Sequence, residues 1–245
     1  MSASKQQQRE FLALIVPLCQ EQAYRHGYKL YASVAIAQAI HESGWGTSKR
    51  MVAANALFGV KVGKSAWKFG TAWKGAAYKT GTTEYYDGKT ATKITDYFRQ
   101  YATVSDAIED YMDMLCTCKR YKGALNCATP EASIKAIIAG GYATGPDYVQ
   151  AIVNLINVYN LKQYDKKGQV LMINPYEPTS KVLRRGDRGV GVKYLQWFLD
   201  NKGYKLKIDG SFGPTTEEKV MDFQKDKGLV VDGIVGKKTW AALKE

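Results

Sequence analysis

In the segment AQAIHESGWGTS, residues 37–48, a glutamate ends an apolar run. Ala37, Ala39 and Ile40 have the composition of a buried helix, and Glu42 falls in its last turn, with Gly44 as the stop. Two physical effects would keep a proton on this carboxyl group near neutral pH. Ala37, Ile40 and Trp45 would strip it of water, and the negative end of the helix dipole would disfavour its charge. A carboxyl group so placed is suited to donate a proton as a general acid. At a solvated helix end the same residue is an ordinary surface charge, and the spacing fits both readings.

The elements that must position Glu42 are mostly helices over residues 1–165. The periodicity predicts a helix over Ala32 to Glu42, with Ser33 or its neighbour as cap. Ser105 opens another, with Ile108, Tyr111, Met112 and Leu115 on one stripe. Pro130 starts a third, which Gly140-Gly141 stops, and Pro146 opens a last one through Ile152 and Ile156. Phe11 to Cys19, behind Lys5 and Arg9, imitates a secretory leader, but Glu21 follows without a small-residue cleavage site, so it reads as the first helix. Residues 63–100 change character: TTEYYDGKTATKITDYF reads as a hairpin turning at Asp87-Gly88. Helices around a small antiparallel lobe make an α+β domain with a cleft between the two.

Residues 166–180, KKGQVLMINPYEPTS, carry two prolines and read as a linker. Residues 181–245 then repeat themselves: DGSFGPTT from Asp209 and DGIVGKKT from Asp232, each preceded by a helix-like run with a glutamine after an apolar residue, Leu195-Gln196 and Phe223-Gln224. Two such units predict a small three-helix module. Both parts are basic, with 19 basic against 13 acidic residues in 1–165 and 14 against 9 in 181–245. That excess suits anionic partners: nucleic acid, acidic membranes or anionic wall polymers. No helix-turn-helix, zinc-finger or aromatic RNA-binding signature supports nucleic acid, and no apolar run approaches the roughly 20 residues of a membrane span. Cys19, Cys116, Cys118 and Cys127 with His26 and His41 make a poor metal set and no disulfide framework.

Five ordered stretches carry a resemblance over about residues 8–163: SVAIAQAIHESGWGTS, NALFGVK (Asn55 to Lys61), TTEYYDG, YFRQYATVSDAIEDY and GGYATGPDYVQAI. They resemble the glucosaminidases of glycoside hydrolase family 73, with their lysozyme-like fold. The resemblance implies that Glu42 is the catalytic acid, that Glu84 is the hairpin carboxylate assisting it, and that Tyr142 lines the cleft beside them. Trp45, Asn55 and Phe58 are candidates for binding sugar, by ring stacking and amide hydrogen bonds; Trp67 and Trp73 could stack likewise or pack within the small lobe. Residues 181–243, opening with LRRGDRGVGVKYLQ (Leu183 to Gln196), resemble a peptidoglycan-binding domain.

The resemblances together imply a monomeric cell-wall hydrolase that cuts peptidoglycan after N-acetylglucosamine, needs neither metal nor cofactor, and is tethered by its C-terminal module. A muramidase or lytic transglycosylase on the same fold, or a non-catalytic wall-binding protein, are the alternatives. Without a leader, the expected arrangement is that of a phage endolysin, made in the host cytoplasm and acting on a Gram-positive wall, with an autolysin exported by another route as the alternative, and with no nucleic acid partner and no membrane insertion.

Overall fold

The helix that carries Glu42 is buried along most of its length. In the computed structural model, which describes residues 3–63, 68–84 and 90–245 (the side chain of Glu84 apart), α2 runs Ala32–Ser43 and every residue from Ala32 to Ile40 is buried. Four alanines in that run let neighbouring helices approach from several sides. Together with α1 (Lys5–Arg25), α3 (Lys49–Ala54), α4 (Val104–Thr117), α5 (Pro130–Ala139) and α6 (Tyr148–Val158), it makes the helical body of the first of two compact units, Met1–Met172. α1, α5 and α6 pack directly on α2, and α4 packs on α1. The expected α4 stripe of Ile108, Tyr111, Met112 and Leu115 is buried.

Helix starts follow their caps, and two of these differ from expectation. α4 opens at Thr103 rather than Ser105: Thr103 and Asp106 form a reciprocal capping box. Ser33 does not cap α2. Its backbone N–H and hydroxyl instead donate to the Asp165 carboxylate at 2.8 and 2.6 Å, so the cap comes from 132 residues away. α5 starts at Pro130 behind the Thr129 cap, as its sequence predicts. α6 begins at Tyr148, two residues beyond Pro146.

Strands β1 (Ala77–Glu84) and β2 (Thr92–Arg99) pair antiparallel, from Ala77 opposite Arg99 to Glu84 opposite Thr92. The turn expected at Asp87-Gly88 lies outside the described residues, as does Trp67. The root of the hairpin is fastened by Arg99, buried to 1% exposure. Its Nη1 donates to both Asp110 oxygens at 3.0 Å, and its guanidinium sits 4.2 Å from each of the Phe69 and Trp73 rings. Tyr101 donates to the same carboxylate at 2.8 Å. Removing either member would strand a buried charge at a cost of about 3–5 kcal/mol, so β2 and α4 hold together as one piece. Trp73 is buried and donates to the Ala76 carbonyl, which makes it a packing residue.

The second unit, Ile173–Glu245, contains α7 (Val190–Leu199), α8 (Pro214–Asp226) and α9 (Lys237–Lys244). The repeated glutamines explain the repeated turns. The Gln196 amide nitrogen donates to Asp209, the Ser211 carbonyl and Thr216, while its oxygen accepts from Gly210 N–H. Gln224 does the same with Asp232, the Ile234 carbonyl, Thr239 and Gly233 N–H. Each Asp-Gly turns through a left-handed glycine, Gly210 at φ 78° and Gly233 at φ 69°. One buried amide thus binds the Asp, the first Gly and the Thr of its DGxxGxxT unit.

Candidate active site

Glu42 lies in the last turn of α2, where Gly44 closes the helix in the left-handed region and donates to the Ile40 carbonyl. Gly44, Trp45 and Gly46 all take positive φ, which winds the chain sharply into α3. Trp45 bears the strain of that conformation at φ 61° because its ring is wedged edge-on between Phe11 and Tyr159, with centroids 6.0 and 4.8 Å away. The short turn brings Arg50 of α3 back over Glu42.

Three elements converge on the carboxylate, whose side chain keeps 18% exposure. The Tyr148 hydroxyl, at the start of α6, donates to Oε1 at 2.8 Å. Arg50 Nη2 stands 3.5 Å from Oε2, its guanidinium stacked on Phe98 of β2 at 4.6 Å. Gly59, at φ 61°, closes the site from the strand side. A Cβ there would lie 2.9 Å from Arg50 Nη1 and 3.5 Å from Glu42 Oε2, so the backbone passes where only glycine fits.

Behind Tyr148 a buried chain of polar groups fixes the phenol. Tyr111 of α4 donates to Gln38 Oε1, and Gln38 Nε2 donates to the Tyr148 oxygen at 3.2 Å. Gln38 and Tyr111 are fully buried, and Gln38 lies one helical turn before Glu42. Burial first, then the nearby Glu42 charge, pushes the Tyr148 phenol well above its ordinary value, so it remains a donor through the neutral range. Burial first, then the neighbouring Tyr148 phenol and the Glu42 carboxylate, do the same to Tyr142, whose hydroxyl donates to the Phe58 carbonyl at 2.7 Å. Tyr142 and Tyr148 stand side by side, ring centroids 6.1 Å apart.

The residues expected at the site divide by what they touch. Tyr142 lies near enough to Glu42 to feel its charge. Trp45, partly buried, packs edge-on between Phe11 of α1 and Tyr159 at the end of α6. Phe58 is buried and stacked on Tyr111 at 3.9 Å, so its ring cannot carry a sugar; its carbonyl serves Tyr142 instead. Asn55 ends α3 in the left-handed region and spends both amide protons on the Tyr101 and Ala102 carbonyls, which makes it a cap and a suture. Glu84 ends β1, but its side chain lies outside what is described. Tyr148, Gln38 and Arg50 were not singled out from the sequence. Gln38 carries a signal there: an amide inside SVAIAQAI must find partners once buried.

Residues 20–161 match the family model described as mannosyl-glycoprotein endo-beta-N-acetylglucosaminidase, and residues 188–243 match a putative peptidoglycan binding domain. The chain is 34% identical to the peptidoglycan hydrolase FlgJ of Pseudomonas aeruginosa over 60% of its own length and 35% of that protein's. It is also 34% identical to the exo-glucosaminidase LytG of Bacillus subtilis, over 57% of its length and 48% of the relative's. It therefore spans less than half of each of these curated relatives. Among solved structures, the catalytic domain of the autolysin Auto from Listeria monocytogenes superposes with a TM-score of 0.52 at 29% identity, covering 67% of this chain and 90% of that one. The two share a fold over that stretch.

Proposed function

The chain belongs to the glucosaminidase family through residues 20–161, and from that membership we propose that it is a peptidoglycan hydrolase cutting the β-1,4 bond after N-acetylglucosamine. The observation that carries the reading is the fixed carboxyl group of Glu42, with a phenol on one oxygen and an open face for substrate at partial exposure. Glu42 protonates the bridging glycosidic oxygen as the C1–O bond breaks. Tyr148 holds Oε1 in place, so the protonated oxygen is set by geometry. Glu84, or the substrate's own acetamido group, supports the positive charge developing at C1 and the water that follows. No step calls on a metal or cofactor.

The second unit attaches the enzyme to the wall, raising its concentration at the glycan. A hydrolase followed by a wall-binding module, basic in both parts, supports an endolysin-type enzyme acting on a Gram-positive wall rich in anionic polymers. Purified peptidoglycan digested by the full chain should yield new N-acetylglucosamine reducing ends by mass spectrometry. Glu42→Gln should lower the rate about 10²–10⁴-fold while co-sedimentation with the wall is unchanged. New N-acetylmuramic acid reducing ends would replace this reading with a muramidase, and clearing by a folded Glu42→Gln protein would remove Glu42 from the acid's role.

A further inference from the structure

A cavity of about 570 Å³ opens at the other end of α2, lined by Tyr24, Tyr28, Lys29, Tyr31, Lys166 and Lys167 among others. Ala32 marks it and Glu42 lies ten residues on, about 15 Å along the helix at its rise per residue, so this is not the catalytic cleft. Its buried lining is apolar, with Ala23, Leu30 and Ala32. Its wall is aromatic: Tyr24, 66% exposed, meets Tyr28 edge-on with centroids 5.9 Å apart. Its rim is cationic, and Lys167 Nζ stands 5.8 Å over the Tyr28 ring.

The walls are joined by hydrogen bonds rather than left loose. Gly168 N–H donates to the Tyr28 hydroxyl at 2.6 Å, Tyr31 donates to the Cys127 carbonyl at 2.7 Å, and Asn126 N–H donates to the Lys29 carbonyl at 2.8 Å. Tyr28 and Asn126 both hold left-handed backbone, at φ 56° and 57°, which persists in non-glycine residues only where the surroundings impose it. The single carboxylate of the lining among the described residues, Asp165, is committed to Ser33 at the start of α2. Lys29, Lys166 and Lys167 therefore outweigh it, and the cavity favours an anion.

We propose that this cavity is a second carbohydrate site, taking a sugar ring that bears an anionic group. Tyrosine faces and an apolar lining suit the CH face of a pyranose, and ammonium groups at the rim suit a carboxylate or phosphate on it. Only the choice of a glycan rests on the hydrolase reading; the chemistry of the cavity stands by itself. In the intact enzyme such a site holds the wall glycan away from the cleft, adding an attachment within the catalytic unit.

Amide NMR titration of the full-length Glu42→Gln protein tests this with three probes: N-acetylmuramic acid, N-acetylglucosamine 6-phosphate and neutral N-acetylglucosamine. One anionic sugar should bind saturably, shifting the amides of Lys29, Asn126 and Gly168, about tenfold more tightly than the neutral one. Preference between the two tells whether a glycan carboxylate or a polymer phosphate is the natural anion. The exposed pair Lys29→Ala/Lys167→Ala should weaken that binding about tenfold, and Tyr24→Ala should weaken it too. Equal binding of the neutral sugar, shifts confined to the Glu42 and Tyr148 region, or unchanged affinity in the lysine variant would each overturn the proposal. Because the readout is binding and not turnover, such a failure leaves hydrolysis by Glu42 untouched, and the converse also holds.

Discussion

Replacing Tyr148 by phenylalanine removes one oxygen and separates catalytic tuning from packing. The lost hydrogen bond, 2.8 Å to Glu42 Oε1, is made to an ionisable group. Such bonds contribute about 1.5–3 kcal/mol, which at 1.36 kcal/mol per pH unit corresponds to about one or two units. Glu42 keeps 18% of its side-chain surface, so water takes over part of the phenol's role and about one unit is expected. The sign follows from which form the phenol favours. A donor stabilises the carboxylate, so its loss makes the proton harder to remove, and a general acid works only while protonated. The alkaline limb of kcat/KM on soluble glycan fragments should therefore move up by about one pH unit. The same change leaves Gln38 Nε2 without its acceptor inside the core, which costs about 1–3 kcal/mol of stability and lowers Tm by several degrees in calorimetry. A Tyr148→Phe protein with the wild-type alkaline limb would refute the coupling of this phenol to the acid.

Gln196→Ala should destabilise the second unit by about 3 kcal/mol, since it orphans Gly210 N–H and releases Asp209 and Thr216 together; a Tm loss below a few degrees in isolated residues 173–245 would contradict the clamp. Burial lowers the His26 imidazole below its ordinary 6.5, so the native state prefers it neutral. Stability should fall as pH drops below 6.5 toward the lowered value, and urea titrations of His26→Gln should show a flatter dependence in that window. A fragment ending at residue 165 should be less stable than one ending at 172 by about 1–2 kcal/mol, because Gln20 loses its bonds to the Gln169 carbonyl and Leu171 N–H. Equal thermal midpoints for the two fragments would show those bonds to be incidental.

Legibility in the sequence tracked how local each cause was. Glu42 at a helix end, Pro130 at a helix start and the hairpin around residues 77–99 rest on neighbours within a few residues, and the alanine-rich run announced its burial. The DGxxGxxT repeat was visible, and so was the glutamine before it, though not that the glutamine binds the turn. The misreadings came from distant partners. Ser33 looks like a cap until Asp165 arrives to cap it. Phe58 looks like a sugar platform, since a sequence does not say that Tyr111 will cover its face. Tyr148 lay within a motif already noticed, yet nothing adjacent distinguishes it from Tyr142.

The electrostatics of Glu42 are set by opposing influences that the sequence presented only in part. Burial and the helix terminus disfavour its charge, while the Tyr148 hydroxyl and the Arg50 guanidinium favour it. Water decides how much each counts. A unit charge pair at 3.5 Å interacts by about 1 kcal/mol in bulk water and about 5 kcal/mol at an effective dielectric of 20, and Arg50 with Glu42 lies between these limits at 22% and 18% exposure. A sugar filling the cleft would expel water from both groups at once. Burial would then weigh more against the carboxylate, but so would the guanidinium in its favour, and the outcome depends on whether Arg50 keeps its place. Arg50 rests on Phe98, one residue from the Arg99 anchor that ties β2 to α4. The hairpin root therefore belongs to the acid's electrostatic environment, although it makes no hydrogen bond to the carboxyl group among the described contacts.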